Sequence, residues 1–293
     1  MTHLYMAQEF NGKTIRHFFF RRIGRIVPLY FIILFACFIL TTVYGIKTVY
    51  NINTSNLLPH IFFLQGTDIF WTIPPEILFY LLFIILWRLR TTHRTFYVLI
   101  ILLAISVSGH KFLMPIHEMR FNFYAQFLKV YQFFLAGLLV AEWRAKLPFN
   151  RMSGANCDFL FLAALCLMFI SYPKIHTVVL SPLVGEEVWY TPLPLLATAG
   201  VILFAPYSRL GNFLFANSFM RFIGKISFSV YLLHKLVLMN MPSIVKSDMV
   251  DLALTFLTVC AVSTLTYYAI EKPWREWFTK FVKLGDTEKA SNP

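Results

Sequence analysis

The chain consists largely of long apolar runs separated by short polar and basic segments. Crossing a hydrocarbon core of about 30 Å takes roughly 20 mostly apolar residues in a helix. By this criterion we predict an all-α integral membrane protein with eight transmembrane helices. The predicted helices are Ile26–Tyr44, Trp71–Trp87, Phe96–Gly109, Phe121–Trp143, Asp158–Tyr172, Leu193–Pro206, Ile226–Met241 and Asp251–Ile270.

The distribution of positive charge tests this assignment independently. Of the 26 Lys and Arg residues, 19 fall in segments that would face one side of the membrane, namely 13–25, 88–94, 144–151, 209–225 and 272–289. Lys and Arg collect on the cytoplasmic side of membranes. We therefore predict an even number of spans, with both termini in the cytoplasm and the chain crossing the inner membrane. Residues 1–285 would form one transmembrane domain and residues 286–293 a short polar tail.

The composition shows that the net positive charge is not that of a soluble protein. Hydrophobic residues make up 58% of the chain and charged residues only 14%, whereas soluble proteins carry about 25% charged residues. A net charge of +12 would suggest a nucleic-acid partner for a soluble protein. Because the charge lines one membrane face, we expect a lipid bilayer and no nucleic acid as partner. The Cys and His residues show no metal-ligand spacing, so we predict neither a metal nor a bound cofactor.

Three arginines mark the start of the first predicted span, in the segment F-F-F-R-R-I-G-R-I-V-P-L-Y at residues 18–30. Arg21 and Arg25 are four residues apart and share a helical face, which Arg22 nearly joins. Guanidinium groups bind phosphate oxygens with paired N–H donors. The cluster therefore fits a polyphosphate site, and it equally fits a topology signal that contacts lipid headgroups.

A carboxylate stands near the start of the second predicted span, in W-T-I-P-P-E-I-L-F-Y at residues 71–80. Pro74 and Pro75 suit a first helical turn, where the helix dipole would favour Glu76. Glu76 thus fits a structural role. It also fits a base or orienting group near the outer side of a membrane-embedded cavity.

Two more polar segments accompany the last two spans. In G-K-I-S-F-S-V-Y-L-L-H-K at residues 224–235, His234 lies roughly 12 Å into its helix, with Tyr231 on the same face and Ser227 a turn below. A packing histidine and a functional cluster both fit this pattern. In I-E-K-P-W-R at residues 270–275, Glu271 would form an exposed pair with Arg275, which contributes little, and Pro273 would end the helix.

Together these four segments resemble the membrane acyltransferase type 3 family, which O-acylates sugars and other acceptors. The arginine segment is similar to that family's F-x-x-R-R-x-x-R-I-x-P-x-Y signature. Residues 71–80 resemble its W-(S/T)-L-x-x-E-x-x-F-Y element and residues 224–234 its G-x-I-S-(Y/F)-x-x-Y-L-x-H element. Glu271-Lys272-Pro273 resembles the closing E-(K/R)-P. The four segments follow the family's order over residues 18–275.

The resemblance implies a membrane-bound O-acyltransferase that moves an acyl group, typically acetyl, from acyl-CoA to a hydroxyl of a cell-envelope or exported saccharide. It implies that the phosphates of acyl-CoA bind the arginines, that three residues serve catalysis, and that four more shape the pocket. These sets are Arg21, Arg22 and Arg25; Glu76, Tyr231 and His234; and Trp71, Tyr80, Ser227 and Glu271.

The chain also departs from the family pattern. Family members usually begin with a further helical hairpin carrying an R-x(10)-H element, whose His is taken as essential, and an F-F-x-x-S-G-F-like stretch. Neither precedes the arginine segment, and about ten core helices are typical. A start codon placed too late, a truncated gene and a noncatalytic remnant all explain this difference. We therefore expect the 293-residue chain alone to be inactive or severely impaired, and the rival function is a noncatalytic membrane protein, such as a transporter or assembly partner.

Overall fold

The computed structural model describes residues 8–46, 48–90, 97–105, 122–146, 152–172, 193–241 and 248–280, together with Tyr5 and Ile175. Regular structure in these residues is helical, and no strand occurs among them. The prediction of an all-α protein is confirmed.

The helices follow the apolar runs of the sequence. In chain order they are α1 (Gly12–Thr42), α2 (Leu57–Ile61), a 3₁₀ turn (Asp68–Thr72), α3 (Ile73–Arg90), α4 (Asn122–Lys146), α5 (Gly154–Ile170), α6 (Leu193–Phe204), α7 (Arg209–Phe215), α8 (Ser218–Asn240) and α9 (Asp248–Thr266). Residues 97–105 are also helical. A π-helical turn, Tyr267–Glu271, continues α9 into helical residues 272–280.

Four helical stretches are long and apolar enough to cross a membrane: Gly12–Thr42, Asp68–Leu89, Ser218–Asn240 and Met249–Lys280. They coincide with the predicted first, second, seventh and eighth spans. α6 and α7 would make a fifth if they form one broken span, and α5 is apolar but shorter. The predicted third span lies partly outside the described residues. The chain is thus a helical membrane protein, while the count of eight and the side of the termini stay predictions.

α1 begins at Gly12, well before the apolar run that starts at Ile26. The Asn11 side chain accepts a hydrogen bond from the Thr14 N–H at 2.9 Å, and the Thr14 hydroxyl accepts one from the Asn11 N–H at 3.2 Å. Such a reciprocal cap satisfies backbone donors that the first helical turn leaves without partners. The arginine cluster therefore sits inside a continuous helix.

The expectation that Pro273 ends the last helix is wrong, because helical structure continues to Lys280. The π turn ends at Glu271, two residues before this proline, and the Lys272 N–H bonds back five residues to the Tyr267 carbonyl. A π turn inserts one extra residue and widens the helix locally. We attribute the continuation past Pro273 to this extra room, since proline normally clashes with the preceding turn.

The chain forms two compact units. The first comprises Met1–Gln8 and Leu81–Arg221, and the second comprises Glu9–Tyr80 and Phe222–Pro293. The predicted boundary at residue 285 lies outside the described residues.

In the first unit, α6 bends by 93° into α7. The Ser208 hydroxyl caps α7 by accepting from the Gly211 N–H at 2.9 Å. The same hydroxyl donates to Asp158 on α5 at 2.5 Å, and the Leu210 N–H donates to that carboxylate at 3.1 Å. A carboxylate at a helix N-terminus is favoured by the helix dipole. Asp158 therefore fixes the start of α7.

In the second unit, α1 packs closely against the chain that follows α9. A β-carbon at Gly24 would lie 2.9 Å from the Phe278 ring, and the rings of Phe20 and Phe278 are 5.8 Å apart. Only a residue without a side chain allows this approach, so Gly24 sets the distance between the two helices.

The segment between α1 and the 3₁₀ turn is organised around His60, which is fully buried. Its Nδ1 lies 2.7 Å from the Asn56 carbonyl oxygen, and its Nε2 accepts a hydrogen bond from the Thr67 N–H at 3.1 Å. Because Nε2 accepts, the ring is neutral with its proton on Nδ1. Burial lowers the pKa of His60, although the hydrogen bond to Asn56 acts in the opposite direction. The Tyr30 hydroxyl donates to the His60 carbonyl at 2.9 Å and ties the segment to α1.

Candidate functional site

The four polar segments singled out in the sequence all lie in the second unit and contact one another in pairs. Arg22 of the first segment lies over the Tyr80 ring of the second, and Arg25 contacts Ser227 of the third. The second and third segments are joined by a Thr72–Tyr231 hydrogen bond, and the third and fourth by a bond from Ser229 to Glu271. We define the four segments so joined as the motif cluster.

At one end of the motif cluster, α1 presents two arginines. The Arg22 Cζ is 5.6 Å from the centre of the Tyr80 ring and 5.9 Å from that of Phe18, distances at which a guanidinium is attracted to an aromatic face. The Arg25 Nη2 donates to the Ser227 hydroxyl at 3.2 Å. Both guanidinium groups are therefore held by neighbours from other helices. Arg21 is exposed, and its side chain forms no hydrogen bond or ion pair with another described residue.

Glu76 occupies the first turn of α3, as predicted. Its Oε1 accepts a hydrogen bond from the Tyr80 hydroxyl, one turn further along the helix. Glu76 is half-buried, whereas the Tyr80 side chain is almost completely buried. This bond orients the carboxylate and leaves its other oxygen available to a substrate or another side chain.

Tyr231 joins α8 to the 3₁₀ turn. Its hydroxyl donates to the Ile69 carbonyl at 2.8 Å and accepts from the Thr72 hydroxyl at 3.0 Å. With its proton committed to Ile69, this hydroxyl holds the turn that precedes Glu76. The Tyr231 assigned to catalysis by the family resemblance thus has an evident structural contribution in this conformation.

His234 hydrogen-bonds its own helix. Its Nδ1 is 2.7 Å from the Tyr231 carbonyl oxygen and 3.2 Å from that of Val230. Because a carbonyl oxygen only accepts, the Nδ1 carries a proton in these contacts, and the Nε2 takes no part in them. Among the described residues, His234 and Glu76 do not contact each other directly. The Nε2 of the half-buried His234 is therefore the ring nitrogen that these contacts leave for another partner.

An ion pair between Lys235 and Asp68 was not anticipated from the sequence. Asp68 begins the 3₁₀ turn with a positive φ of 51°, a left-handed backbone conformation that most L-residues avoid. The Lys235 ammonium, on α8, contacts the Asp68 carboxylate. The pair lies 167 residues apart in the chain, so local spacing carries no signal for it.

The expectation that Glu271 forms an exposed pair with Arg275 at the helix end is wrong, because Glu271 is only 3% exposed. Its Oε1 accepts a hydrogen bond from the Ser229 hydroxyl on α8. The Arg275 Nη2 donates to the Tyr267 hydroxyl at 2.9 Å. Glu271 is thus an interior member of the motif cluster.

Of the predicted pocket residues, Tyr80, Ser227 and Glu271 take part in these contacts. Trp71, in the 3₁₀ turn, is 37% exposed and lies at the surface. The α8 residues from Ser227 to Lys235 extend roughly 12 Å along the helix. The arginines and the Asp68–Lys235 pair therefore mark opposite ends of the motif cluster. Among the described residues, no group of three His, Cys, Asp or Glu is placed to bind a metal ion.

This arrangement combines an end that carries arginines with a tyrosine and a histidine along one face of α8 and a carboxylate at the start of α3. Guanidinium groups held in position bind phosphate with charge-assisted hydrogen bonds. A histidine lone pair and an oriented carboxylate are the groups that general acid–base chemistry needs. The second unit thus belongs to the class of helical membrane proteins that hold polar and charged side chains in contact between apolar helices.

The comparisons with known proteins agree with that class. The sequence model of the acyltransferase 3 family, described as an acyltransferase domain, matches residues 3–271. No curated protein and no solved structure matches the chain. The family match covers most of the chain. It includes the first three polar segments and ends at Glu271, within the fourth, and the chain belongs to the acyltransferase 3 family.

Proposed function

We propose that the protein is a membrane-bound O-acyltransferase that transfers an acyl group, acetyl in the simplest case, from acyl-CoA to a hydroxyl of a cell-envelope or exported saccharide. Membership of the acyltransferase 3 family supports acyl transfer. The convergence of the four polar segments in one compact unit is the observation that carries the proposal.

The donor would bind at the arginine end of the motif cluster. Arg22 and Arg25 are held by Tyr80 and Ser227, and Arg21 adds an exposed charge nearby on the same helix. Acyl-CoA carries several phosphate groups, which suit such a cluster. The charge distribution of the sequence favours the cytoplasmic side for this end, in an eight-span protein of the inner membrane with both termini inside.

The transfer itself needs a base and a positioned acceptor. The acceptor hydroxyl oxygen attacks the thioester carbonyl carbon while its proton passes to Nε2 of His234. The carbon–sulfur bond then breaks, and the leaving thiolate takes the proton from His234. Glu76, oriented by Tyr80, would align the acceptor hydroxyl. Tyr231 would hold the turn that carries Trp71 and leads to Glu76.

Inverted membrane vesicles containing the full chain provide the test, because they expose the cytoplasmic face to added substrate. With acetyl-CoA labelled in the acetyl group, the proposal expects alkali-labile label to appear in the polysaccharide fraction. This result would overturn the expectation from the sequence that the chain alone is inactive or severely impaired, whereas absent label would agree with that expectation. A hydrogen bond to a charged group contributes about 1.5 to 3 kcal/mol, so Arg22→Ala and Arg25→Ala should each raise KM for acetyl-CoA about tenfold or more.

Lys280→Ala is the matched control for the loss of one positive charge, since Lys280 is an exposed residue of the same unit. It should leave KM near the wild-type value. Unchanged KM in both arginine variants would show the donor-site assignment to be wrong. No incorporation of label by the wild-type chain would contradict the proposed function itself.

One observation favours a noncatalytic carrier as a second candidate. The 93° break between α6 and α7 resembles the discontinuous helices that line substrate sites in transporters. A carrier would move a solute across the vesicle membrane without acyl-CoA. Solute uptake that persists when acetyl-CoA is omitted, together with absent label incorporation, would favour this candidate.

A further inference from the structure

The end of the motif cluster opposite the arginines carries two charged side chains within candidate membrane spans. Asp68 begins the span Asp68–Leu89, and Lys235 lies near the end of the span Ser218–Asn240. The exposed fraction is 28% for the Asp68 side chain and 35% for the Lys235 side chain. Charged groups in membrane spans face a water-filled space or reach the membrane surface rather than lipid. We therefore expect this end of the motif cluster to meet water.

The ion pair between these two residues leaves hydrogen-bonding capacity on both. The Lys235 ammonium contacts one oxygen of the Asp68 carboxylate, Oδ2. An ammonium has three N–H donors, and a carboxylate has about four acceptor positions on its two oxygens. Neither side chain forms another hydrogen bond with a described residue. The pair can therefore donate to and accept from a polar ligand while it stays intact.

An exposed aromatic side chain stands next to this pair. In a 3₁₀ helix the side chains of residues i and i+3 eclipse one another, so Trp71 and Asp68 share one face of the 3₁₀ turn. The Trp71 indole makes no hydrogen bond or aromatic contact with another described residue. The turn thus presents an uncovered aromatic surface beside a carboxylate and an ammonium.

The 3₁₀ turn is held in place by contacts that do not involve these three side chains. The Tyr231 hydroxyl of α8 donates to the Ile69 carbonyl at 2.8 Å. The Tyr50 hydroxyl donates to the Leu232 carbonyl of α8, and the Tyr50 ring stacks on the Phe70 ring with centres 4.5 Å apart. A surface fixed in this way loses little freedom when a ligand binds, which favours affinity.

Backbone strain is concentrated in the segment that leads to the turn. Among the described residues, those other than glycine with a positive φ are Asn51 at 43°, Phe63 at 55° and Asp68 at 51°. Asn and Asp tolerate this conformation, whereas a bulky residue such as Phe rarely adopts it. Strained backbone persists where the surrounding structure imposes it, and it is common at ligand-binding sites. The strain therefore supports a binding role for this segment.

An aromatic ring beside a donor and an acceptor matches the chemistry of a sugar. A pyranose ring carries apolar C–H bonds on its faces and hydroxyl groups around its edge. An indole can cover one such face, while a carboxylate accepts from the hydroxyl groups and an ammonium donates to their oxygens. Ligand sites commonly combine aromatic surface with a few placed polar groups in this way.

From this arrangement we propose that Asp68, Trp71 and Lys235 form a subsite that binds one sugar unit of the acceptor. The inference rests on the proposed function. The donor would bind at the arginines, so that donor and acceptor would approach the intervening His234 from opposite ends of the motif cluster. In the predicted eight-span topology the subsite lies on the side away from the cytoplasm, where an exported saccharide is found.

The test measures binding directly and needs no turnover. The polysaccharide fraction of the host membranes, treated with mild alkali to remove ester-linked acyl groups, is immobilised, and Kd is measured for the full chain purified in detergent. Trp71→Ala should raise Kd about tenfold, because large aromatic side chains carry much of the energy at binding surfaces. Trp71→Phe keeps an aromatic face and should recover most of the affinity. Trp277→Ala, which removes an exposed indole elsewhere in the same unit, should leave Kd unchanged.

Variants of the ion pair separate binding from a structural contribution. Asp68→Asn and Lys235→Met keep side chains of similar size, and each should raise Kd about threefold, which corresponds to the loss of part of a hydrogen bond. Their thermal unfolding midpoints should stay close to that of the wild-type chain, because partly exposed ion pairs contribute little stability. Lower midpoints with an unchanged Kd would show that the pair only fastens the turn to α8.

Several results would overturn the proposal. An unchanged Kd for Trp71→Ala would show that the indole is a membrane-interface anchor, a common place for tryptophan. An equal loss in Trp277→Ala would show that the polysaccharide adsorbs to exposed aromatic groups in general. Absence of binding by the wild-type chain would contradict the subsite outright.

Transfer of label from acetyl-CoA to the same polysaccharide fraction distinguishes this inference from the function on which it rests. Binding that depends on Trp71, without transfer by the wild-type chain, would leave a saccharide-binding surface and contradict the acyltransferase function. Transfer with the same KM for the polysaccharide in the wild-type chain and Trp71→Ala would keep the function and remove the subsite.

Discussion

Single residues in the second unit show how ionisable groups are tolerated at membrane depth. Glu76, Glu271 and Asp68 each have a hydrogen-bonding or charged partner on their own or another helix. In hydrocarbon, an unpaired polar group costs several kcal/mol, so these partners stabilise the fold whatever else they do. The functional question is which of them also face a substrate.

Glu76 and Tyr80 allow that question to be tested directly. Removing the charge in Glu76→Gln should lower kcat by about 100-fold or more, because it takes away an acid–base or orienting group. Tyr80→Phe removes only the hydroxyl that holds Glu76 and keeps the ring beneath Arg22. We expect it to lower kcat about tenfold with little change in KM. Initial rates at saturating and limiting acetyl-CoA measure both quantities.

A contrary result for Tyr80→Phe would be a raised KM with normal kcat. That outcome would show that the Tyr80 hydroxyl contributes to binding acyl-CoA and not to orienting the Glu76 carboxylate.

His60 predicts a dependence of stability on pH. In the unfolded chain a histidine has a pKa of about 6.5, and in the folded chain burial lowers the pKa of His60. Acid therefore protonates the unfolded chain first. The stabilising contribution is complete above about pH 6.5 and is lost as the pH falls toward the lowered folded value. Protonation would also break the hydrogen bond from Thr67 to Nε2.

Thermal unfolding of the detergent-solubilised chain between about pH 7.5 and 5 measures this effect. On acidification, the midpoint temperature of unfolding should fall more steeply for the wild-type chain than for His60→Asn, which has no titrating ring. At the higher pH the midpoint of His60→Asn should already lie below that of the wild-type chain. Parallel pH profiles for the two proteins would show that His60 is not the group responsible.

The sequence predicted the chemistry of these residues better than their surroundings. Arg22, Arg25, Glu76 and Ser227 were singled out, and the structure brings them into one unit. The sequence does not predict the burial of Glu271 and His60, because their partners are placed by long-range or irregular contacts. Ser229 is 42 residues from Glu271, and the turn that brings Thr67 to His60 has no regular period. Contacts of this kind depend on tertiary packing.

At the scale of helices, the apolar runs of the sequence predict which helices exist more accurately than where each helix begins and ends. The run from Ile26 marks the part of α1 that suits hydrocarbon, but the helix itself is decided by backbone hydrogen bonds and starts at the Asn11 cap. The bend between α6 and α7 was missed because it depends on Asp158, a residue of α5. The predicted span Leu193–Pro206 ends at Pro206, but the sequence carries no signal for the angle at which α7 then leaves α6.

Two glycines offer a matched test of helix packing. At Gly24 a β-carbon would meet the Phe278 ring at 2.9 Å, while at Gly224 it would meet nothing within 4 Å. Alanine favours a helix interior over glycine by about 1 kcal/mol, and overpacking costs about 1 to 3 kcal/mol. Gly224→Ala should therefore match or exceed the stability of the wild-type chain, and Gly24→Ala should fall below Gly224→Ala.

Thermal unfolding in detergent measures the difference, and Phe278→Leu in the Gly24→Ala background is the control for the contact. Leucine is smaller than phenylalanine and should restore part of the lost stability. If the two alanine variants unfold at the same midpoint temperature, α1 can move away from helical residues 272–280 without loss of stability.

At the scale of the whole molecule, the family match and the apolar helices establish a helical membrane acyltransferase-family protein. The charge pattern adds a prediction that the helices alone do not test, namely which side each connection faces. Because 19 of the 26 positive residues fall in segments assigned to one side, the positive-inside tendency sets the orientation. Residues 281–293 should then lie in the cytoplasm and residues 173–192 on the opposite side.

Reporter fusions measure this orientation without depending on enzymatic activity. A reporter that folds only outside the cytoplasm should be active when inserted between residues 173 and 192 and inactive when fused after residue 293. A second reporter that works only in the cytoplasm should give the reverse pattern. If both positions report the same side, the number of spans between them is even rather than odd, and the eight-span topology is wrong. The opposite pattern at both positions would keep the count but place the arginine end of the motif cluster outside, where acyl-CoA is absent.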